Sequence, residues 1–291
     1  MQPIVELEHI TVHYPRNHQA TLHDVHLSIF RGSRMAVVGE SGCGKTTLMR
    51  TLLGLLPPVA GTVRWFGEDI SRLSMKTLAT WRARIQPVFQ DPMSSFDPRF
   101  NCHQLLKEPL LIHGWKNAAL IRSRCQKILA DVGLPEDVLL TYPRRLSGGQ
   151  RQRLAIARAM TLAPEVLIAD EPTAALDLSV QGQIANLLLK LHQQSQLTLI
   201  IISHDFPLVS QLCDRVAVLY AGYIVEEGPI EQVFSSPLHP YTQDLIEASI
   251  GDLPFDNTPL PPLPAKDGCP YRTRCRNAQK ICLQMPQNRI V

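Results

Sequence analysis

The chain has 291 residues, of which 45% are hydrophobic and 19% charged, enough apolar material for a large globular domain with an appendage. Its net charge is +3, with basic and acidic residues interspersed, which gives no electrostatic basis for binding nucleic acid. No stretch approaches the roughly 18–20 apolar residues that span a bilayer, and the first residues lack the pattern of a secretory signal. We therefore expect a cytosolic chain that meets a membrane only through a partner.

The first thirty residues predict short antiparallel strands. Val5 and Leu7 alternate with charged residues, and Ile10 and Val12 resume the alternation after a slip of one position, which indicates a bulge. Residues 22–29 suggest a further strand of the same kind. We expect these segments to form an N-terminal antiparallel β subdomain.

A glycine-rich loop follows a short buried strand predicted over 35–38. It fits the pattern G-x-x-x-x-G-K-[ST], and a helical pattern over 48–56 follows it until Pro57 and Pro58. The loop and its next neighbour are Gly39, Glu40, Ser41, Gly42, Cys43, Gly44, Lys45, Thr46 and Thr47. Strand, loop and helix in this order predict a site for the phosphates of ATP.

The residue types in this loop suit a triphosphate with Mg²⁺. Glycines let backbone N–H groups curl around phosphate oxygens, and the helix points its positive end at the same oxygens. We expect Lys45 to reach the β- and γ-phosphates and the Thr46 hydroxyl to bind Mg²⁺.

The middle of the chain is mostly helical in pattern from about 95 to 160, with breaks expected at Pro109, Gly114, Pro135 and Pro143. Two buried strands are predicted after it, over 166–169 and 197–202. Strands that alternate with helices predict an α/β fold with a mainly parallel sheet. Together with the glycine-rich loop, this pattern resembles a P-loop NTPase core with an inserted helical subdomain.

Two carboxylates end the strand at 166–169. Asp170 and Glu171 are delivered to the carboxyl end of that strand, where a parallel sheet places its ligand sites. We expect Asp170 to hold Mg²⁺ through water and Glu171 to polarise the attacking water as general base.

A second glycine-containing helix start separates this chain from other nucleotide-binding proteins. The segment consists of Leu146, Ser147, Gly148, Gly149 and Gln150 and continues into a helix at 151–159. It resembles the signature of ABC ATPases. A P-loop kinase or GTPase has no use for such a second loop.

The resemblance covers about residues 4–235 and implies further roles. In the ABC family the signature loop serves the ATP of the neighbouring subunit, so Ser147 and its neighbours would act in trans across a head-to-tail dimer. Gln90 matches the glutamine that touches Mg²⁺ and water, and His204 the histidine that contacts the γ-phosphate. Asp177 matches the acidic loop that crosses the dimer interface, and Tyr14 the aromatic residue that stacks on adenine.

Other stretches resemble the peptide and nickel importer branch of the family, which includes carriers of dipeptides, oligopeptides, nickel and opine-type metal chelates. They are residues 90–99, 227–229, 233–234 and 239–242. This resemblance implies a peripheral subunit on the cytoplasmic face of the cell membrane. Its partners would be a second ATPase chain, either a relative or a copy, two permeases and, indirectly, an external solute-binding protein.

The tail carries three clustered cysteines, Cys269, Cys275 and Cys282. They resemble the cysteine-containing end of the branch, where some members bind a four-iron four-sulfur cluster, and thiolates can hold such a cluster. A fourth ligand is missing from the tail. The alternative is a small docking tail with reduced cysteines.

We predict an ABC ATPase domain over 1–236, with its helical subdomain at about 91–160, and a C-terminal extension over 237–291 that contains a Pro-rich linker at 252–268 and the cysteine-containing tail. Two other functions remain open at this point: a soluble ABC ATPase that acts on nucleic acid or ribosomes, and the ATPase of an exporter. The first usually has two ATPase units or a long coiled-coil insert, and neither is visible.

Overall fold

A computed structural model describes residues 2–14, 20–174, 176–250 and 268–284. The chain divides into two compact units, one formed by residues 1–71 with 202–291 and the other by residues 72–201. In the described residues, no helix is both long and apolar enough to cross a membrane. The predicted Pro-rich linker, Pro254 to Pro264, lies outside the described residues, and the predicted domain boundary at 236 stays a prediction.

The secondary structure alternates between strands and helices along most of the chain. The strands are β1 Pro3–His13, β2 Ala20–Phe30, β3 Arg34–Val38, β4 Ala60–Trp65, β5 Glu68–Asp69, β6 Ile85–Val88, β7 Val166–Asp170, β8 Thr198–Ser203, β9 Arg215–Tyr220 and β10 Tyr223–Pro229. The α-helices are α1 Lys45–Leu52, α2 Met75–Arg82, α3 Pro92–Ser95, α4 Cys102–Ile112, α5 Ala118–Asp131, α6 Gly148–Met160, α7 Leu178–Ser195, α8 Phe206–Leu212, α9 Ile230–Ser235 and α10 Pro240–Ile250.

The first unit contains an antiparallel sheet with strand order β2-β1-β4-β5. The pairing of β1 with β2 is irregular between Leu7 and Ile10, where His9 has a φ of 54°. This irregularity is the bulge that the slip in the hydrophobic pattern predicts. The predicted N-terminal antiparallel sheet is therefore confirmed.

The same unit holds the strand that leads into the glycine-rich loop. β3 pairs in parallel with β9, and β9 pairs antiparallel with β10. The helix after the loop is shorter than its hydrophobic pattern predicts: α1 ends at Leu52 and not at Pro57. Gly54 explains the difference, because its φ of 61° turns the chain out of the helix before the prolines.

The second unit contains the helix-rich stretch and two parallel strands. β6 pairs in parallel with β7, with Val88 opposite Ala169. All five residues of β7 are buried, as the apolar run predicts for a strand covered on both faces. The chain returns to the first unit within β8.

The predicted helix break at Pro109 is wrong. α4 runs from Cys102 to Ile112 through this proline. Proline removes one hydrogen bond of the helix ladder, but the rest of α4 is held by a capping box between Asn101 and Gln104 and by the burial of its apolar side. The break at Gly114 is confirmed, with a φ of 84° just after the end of α4.

Candidate functional site

The loop between β3 and α1 is shaped by glycines at both ends. A Cβ at Gly39 would lie 2.2 Å from the carbonyl oxygen of Leu219. Gly44 caps α1 with a φ of 113°, a conformation that residues with side chains rarely adopt. The loop therefore takes a backbone path that leads directly into the N-terminus of α1, where N–H groups without helical partners point outwards.

Lys45 folds back over this loop. Its Nζ donates hydrogen bonds to the carbonyl oxygens of Gly39 at 2.7 Å and Glu40 at 2.9 Å, and the residue is only 8% exposed. In contrast, Ser41, Gly42 and Thr46 are exposed. The unit thus presents a buried cation and accessible backbone and hydroxyl groups on one loop, which is the chemistry that a polyphosphate needs.

Tyr14 lies beside the same helix. Its hydroxyl is 3.3 Å from Oγ1 of Thr47, which is buried in the first turn of α1. The structure thus brings together two residues that are predicted to bind ATP. The stacking of the Tyr14 ring on adenine stays a prediction.

His204 follows β8 and is exposed. The next residue, Asp205, caps α8 by accepting the N–H of Leu208 at 2.9 Å, and its own N–H donates to Ser203 Oγ at 3.0 Å. These two bonds hold the turn between the strand and the helix, so they fix the backbone on which His204 sits.

In the second unit, two predicted catalytic residues are in contact. Nε2 of Gln90 donates a 2.8 Å hydrogen bond to Oε2 of Glu171. The parallel register explains the contact, because Val88 and Ala169 are opposite each other and Gln90 and Glu171 each come two residues after this pair. An amide that holds a carboxylate in place suits a carboxylate that must meet a water molecule in one orientation.

The backbone of Glu171 is in an unusual conformation, with a φ of 43°. Few residues other than glycine adopt this conformation, and such positions concentrate at functional sites. Its neighbour Asp170 is 6% exposed at the end of β7. The sequence places both carboxylates at the strand end, but nothing in it signals the backbone strain.

The predicted signature segment begins α6. Ser147 accepts the N–H of Gln150 at 3.3 Å, and Oε1 of Gln150 accepts the N–H of Ser147 at 2.9 Å, so a capping box closes the helix start. Leu146 is buried beneath it. Two of the N–H groups predicted to serve an anion are therefore used within the chain, which leaves those of Gly148 and Gly149 at the head of the helix.

The two signature glycines also allow close packing against the start of α7. A Cβ at Gly149 would lie 2.6 Å from Cγ1 of Val180, and one at Gly148 would lie 3.2 Å from Leu176. Asp177 caps α7, and hydrogen bonds from the Ser179 hydroxyl and the Val180 N–H lower the pKa of its carboxyl. The predicted signature loop and acidic loop are thus brought together in one unit.

The tail places an imidazole beside the predicted cysteine cluster. Sγ of Cys269 is 3.8 Å from Nε2 of His239, and Cys269 is 8% exposed. Burial raises the pKa of this thiol, and the nearby thiols of Cys282 and Cys275 raise it further. Burial lowers the pKa of His239, so the ring stays neutral and able to ligate at neutral pH.

Comparison with known proteins gives two family matches. Residues 22–174 match the model described as ABC transporter. Residues 225–282 match the model described as oligopeptide/dipeptide transporter, C-terminal region. Together the two matches reach from the second strand to the cysteines of the tail.

Individual relatives agree with these models. The chain is 41% identical to a putative peptide import ATP-binding protein of Brucella ovis, over 99% of this chain and 95% of that protein. It is 39% identical to the dipeptide transport ATP-binding protein DppF of Escherichia coli, over 98% and 90%. Among solved structures, the ATP-binding cassette MJ0796, a dimer bound to ADP and phosphate, superposes with a TM-score of 0.71 at 29% identity, over 78% of this chain and 98% of that one.

Proposed function

Since the chain belongs to the ABC transporter family of ATP-binding proteins, we propose that it hydrolyses ATP to drive the import of a peptide, or of nickel or a metal chelate, across the cell membrane. The C-terminal match carries the import part of this proposal, because residues 225–282 resemble a region described for oligopeptide and dipeptide transporters. Peptide is the favoured solute, because the relatives are named for peptide and dipeptide transport.

We assign ATP binding to the first unit. The phosphate-loop amides and Lys45 would hold the phosphates, with the Lys45 ammonium exchanging the carbonyls of Gly39 and Glu40 for phosphate oxygens. Tyr14 would cover the adenine.

We assign hydrolysis to Glu171, Gln90 and His204. Glu171 would take a proton from the attacking water, with Gln90 fixing the orientation of its carboxylate. His204 would contact the γ-phosphate. The family resemblance assigns Thr46, Gln90 and Asp170 to Mg²⁺, and their oxygens would be its ligands; when bound, the ion would neutralise charge on the phosphates.

The signature and acidic loops would act on a second ATPase subunit. Ser147, Gly148, Gly149 and Asp177 would contact the ATP that this partner holds, in a dimer like that of the cassette MJ0796. The remaining partners are two membrane permeases and, through them, an external solute-binding protein. We place the chain on the cytoplasmic face of the membrane, docked to the permeases.

The iron–sulfur cluster predicted at Cys269, Cys275 and Cys282 has no support in the family matches. His239 is the candidate for the fourth ligand of such a cluster, because its Nε2 lies 3.8 Å from Sγ of Cys269 and the tail lacks a fourth thiol. Iron analysis and visible absorption of anaerobically purified protein test this point. Absence of both iron and absorption leaves the tail as a docking element.

Co-purification tests the proposed function. The tagged chain is expressed with its neighbouring genes and extracted from membranes in mild detergent, and its companions are identified by mass spectrometry. Two permeases and a second ATPase are the expected result. Recovery with ribosomes or DNA and without a membrane partner would contradict transport. Whichever partner is found, Lys45→Ala should abolish nucleotide binding.

A further inference from the structure

A side chain of the tail is bound to the phosphate loop. Nη1 of Arg274 donates to Oε2 of Glu40 at 3.0 Å, and Nη2 donates to Oε1 at 3.1 Å, across 234 positions of sequence. The pair is a two-pronged ion pair with side chains only 24% and 15% exposed. Such forked geometry fixes orientation as well as distance.

A second contact holds the backbone of the same residue. The N–H of Glu40 donates to the hydroxyl of Tyr241 at 2.9 Å, and Tyr241 is 1% exposed. Its ring packs against Tyr220 at 4.5 Å and Tyr271 at 5.3 Å between centroids. Residues from α10 and the tail therefore form hydrogen bonds with both the side chain and the backbone amide of Glu40.

Arg274 is itself held rigidly. Its guanidinium lies 5.7 Å from the centre of the Tyr271 ring. Burial disfavours the charge of Arg274, but the hydrogen bonds to Glu40 and Tyr220 outweigh it and raise the pKa of the guanidinium. The group is charged at every physiological pH, so it is a permanent counter-charge for Glu40.

Glu40 is also central to the internal bonding of the loop. Its carbonyl accepts Lys45 Nζ at 2.9 Å and the N–H of Cys43 at 3.3 Å. Its carboxylate is an anion within a loop built to receive anionic phosphates. Left without a counter-charge, it would repel a nucleotide bound there.

We propose that Arg274 is a positioning residue for ATP, which neutralises Glu40 and fixes the start of the phosphate loop. The proposal rests on the function proposed above and gives the C-terminal region a role in nucleotide binding beside any docking role. Arg274 contacts Glu40 of the phosphate loop through both guanidinium nitrogens, so we expect it to act through Glu40.

The test measures binding of a fluorescent ATP analogue with Mg²⁺ to the purified full-length chain. Arg274→Ala should raise the dissociation constant of the ATP analogue about 10-fold, because it leaves the partly buried carboxylate of Glu40 without its counter-charge beside the phosphates. Arg276→Ala is the matched control, since it removes the same charge from an exposed position two residues away, and it should leave the constant within about twofold of the unaltered chain.

A charge-removal variant separates the electrostatic role from a merely structural one. Glu40→Gln combined with Arg274→Ala should restore binding to within about threefold of Glu40→Gln alone, because no stranded charge remains. Arg274→Ala binding as tightly as the unaltered chain, or failure of Glu40→Gln to rescue it, would overturn the proposal.

If Arg274→Ala fails to fold, Arg274→Lys and Arg274→Gln replace it. The lysine variant should bind at least about three times more tightly than the glutamine variant, because only lysine keeps the charge. Equal binding would reject the role of Arg274. An unaltered chain that binds no ATP would instead refute the proposed function, so the two failures are distinguishable.

Discussion

Glu171 is constrained from two sides. Its backbone is held at a φ of 43°, and its carboxylate accepts the amide of Gln90 at 2.8 Å. A strained backbone costs about 1–3 kcal/mol and persists only where the surroundings impose it. Since Glu171 directly follows the buried strand β7, the strain is imposed by a rigid element, and it aims the carboxylate in one direction.

This placement makes Glu171→Gln a sharp test of the proposed base. Glutamine keeps the size and an oxygen that can accept the bond from Gln90, so the fold and nucleotide binding should be unchanged. It cannot take a proton, and ATP turnover should fall by about 100-fold or more. Phosphate release at saturating ATP measures this. The matched control is Glu136→Gln in a surface turn, and unchanged turnover of the Glu171 variant would reject the assignment.

The close packing of helix α6 against helix α7 depends on one glycine. A Cβ at Gly149 would approach Cγ1 of Val180 to 2.6 Å, and the β-branched valine has little freedom to move aside. Gly149→Ala should therefore lower the free energy of unfolding by about 1–3 kcal/mol, although alanine is the better helix former. Urea denaturation measures the change.

Shortening the Val180 side chain should turn the loss of stability caused by Gly149→Ala into a gain. In a Val180→Ala background, Gly149→Ala should stabilise the chain by about 0.5–1 kcal/mol, because only the helix preference of alanine remains. Destabilisation in both backgrounds would show that the steric contact is not the cause.

Helix α4 contains a proline that lowers its stability. Pro109 lies inside the helix and cannot donate to the carbonyl of Leu105. Pro109→Ala should restore this bond and raise the free energy of unfolding by about 1–3 kcal/mol. Pro109→Gly is the control, because it also restores the N–H but should gain about 1 kcal/mol less. A loss of stability with alanine would mean that the proline is needed for the shape of α4.

These elements also mark how far the sequence predicts the fold. Runs of apolar residues identify β3, β7 and β8, and motif spacing identifies the phosphate loop. The edge strand β6 is missed, because Gln86 and Pro87 interrupt its pattern, and a proline is tolerated there only where one side of a strand is unpaired. Pro109 misleads because its local preference is overridden by the buried side of α4.

The same limit applies to the site. The roles proposed for Lys45, Glu171 and Ser147 come from local patterns, because each prediction depends on neighbours within a few residues. The contact between Arg274 and Glu40 spans 234 positions and leaves no local pattern. It becomes visible only when the fold brings the tail to the loop within the first unit.

At the scale of the whole molecule, the chain carries two helix starts suited to anions, at α1 and at α6. Lys45 supplies a cation to the first. The second has a capping box and two glycines. We propose that the first binds this chain's own ATP and the second binds the ATP of a partner. ATP hydrolysis then requires two ATPase subunits. A substitution at the start of α1 should weaken binding of the chain's own ATP, whereas one at the start of α6 should affect the ATP of the partner.

Ser147 separates the two roles, because asparagine and aspartate cap a helix about as well as serine. Ser147→Asp adds a negative charge where the partner's γ-phosphate would lie, whereas Ser147→Asn adds none. In the isolated chain, both variants should bind ATP as tightly as the unaltered protein. In the transporter reconstituted with its permeases and second ATPase, Ser147→Asp should lose at least about 90% of the ATPase activity and Ser147→Asn much less, since only the aspartate repels phosphate. Equal activity of the two variants would contradict a contact in trans, and weakened binding in the isolated Asp variant would place the signature at the chain's own nucleotide.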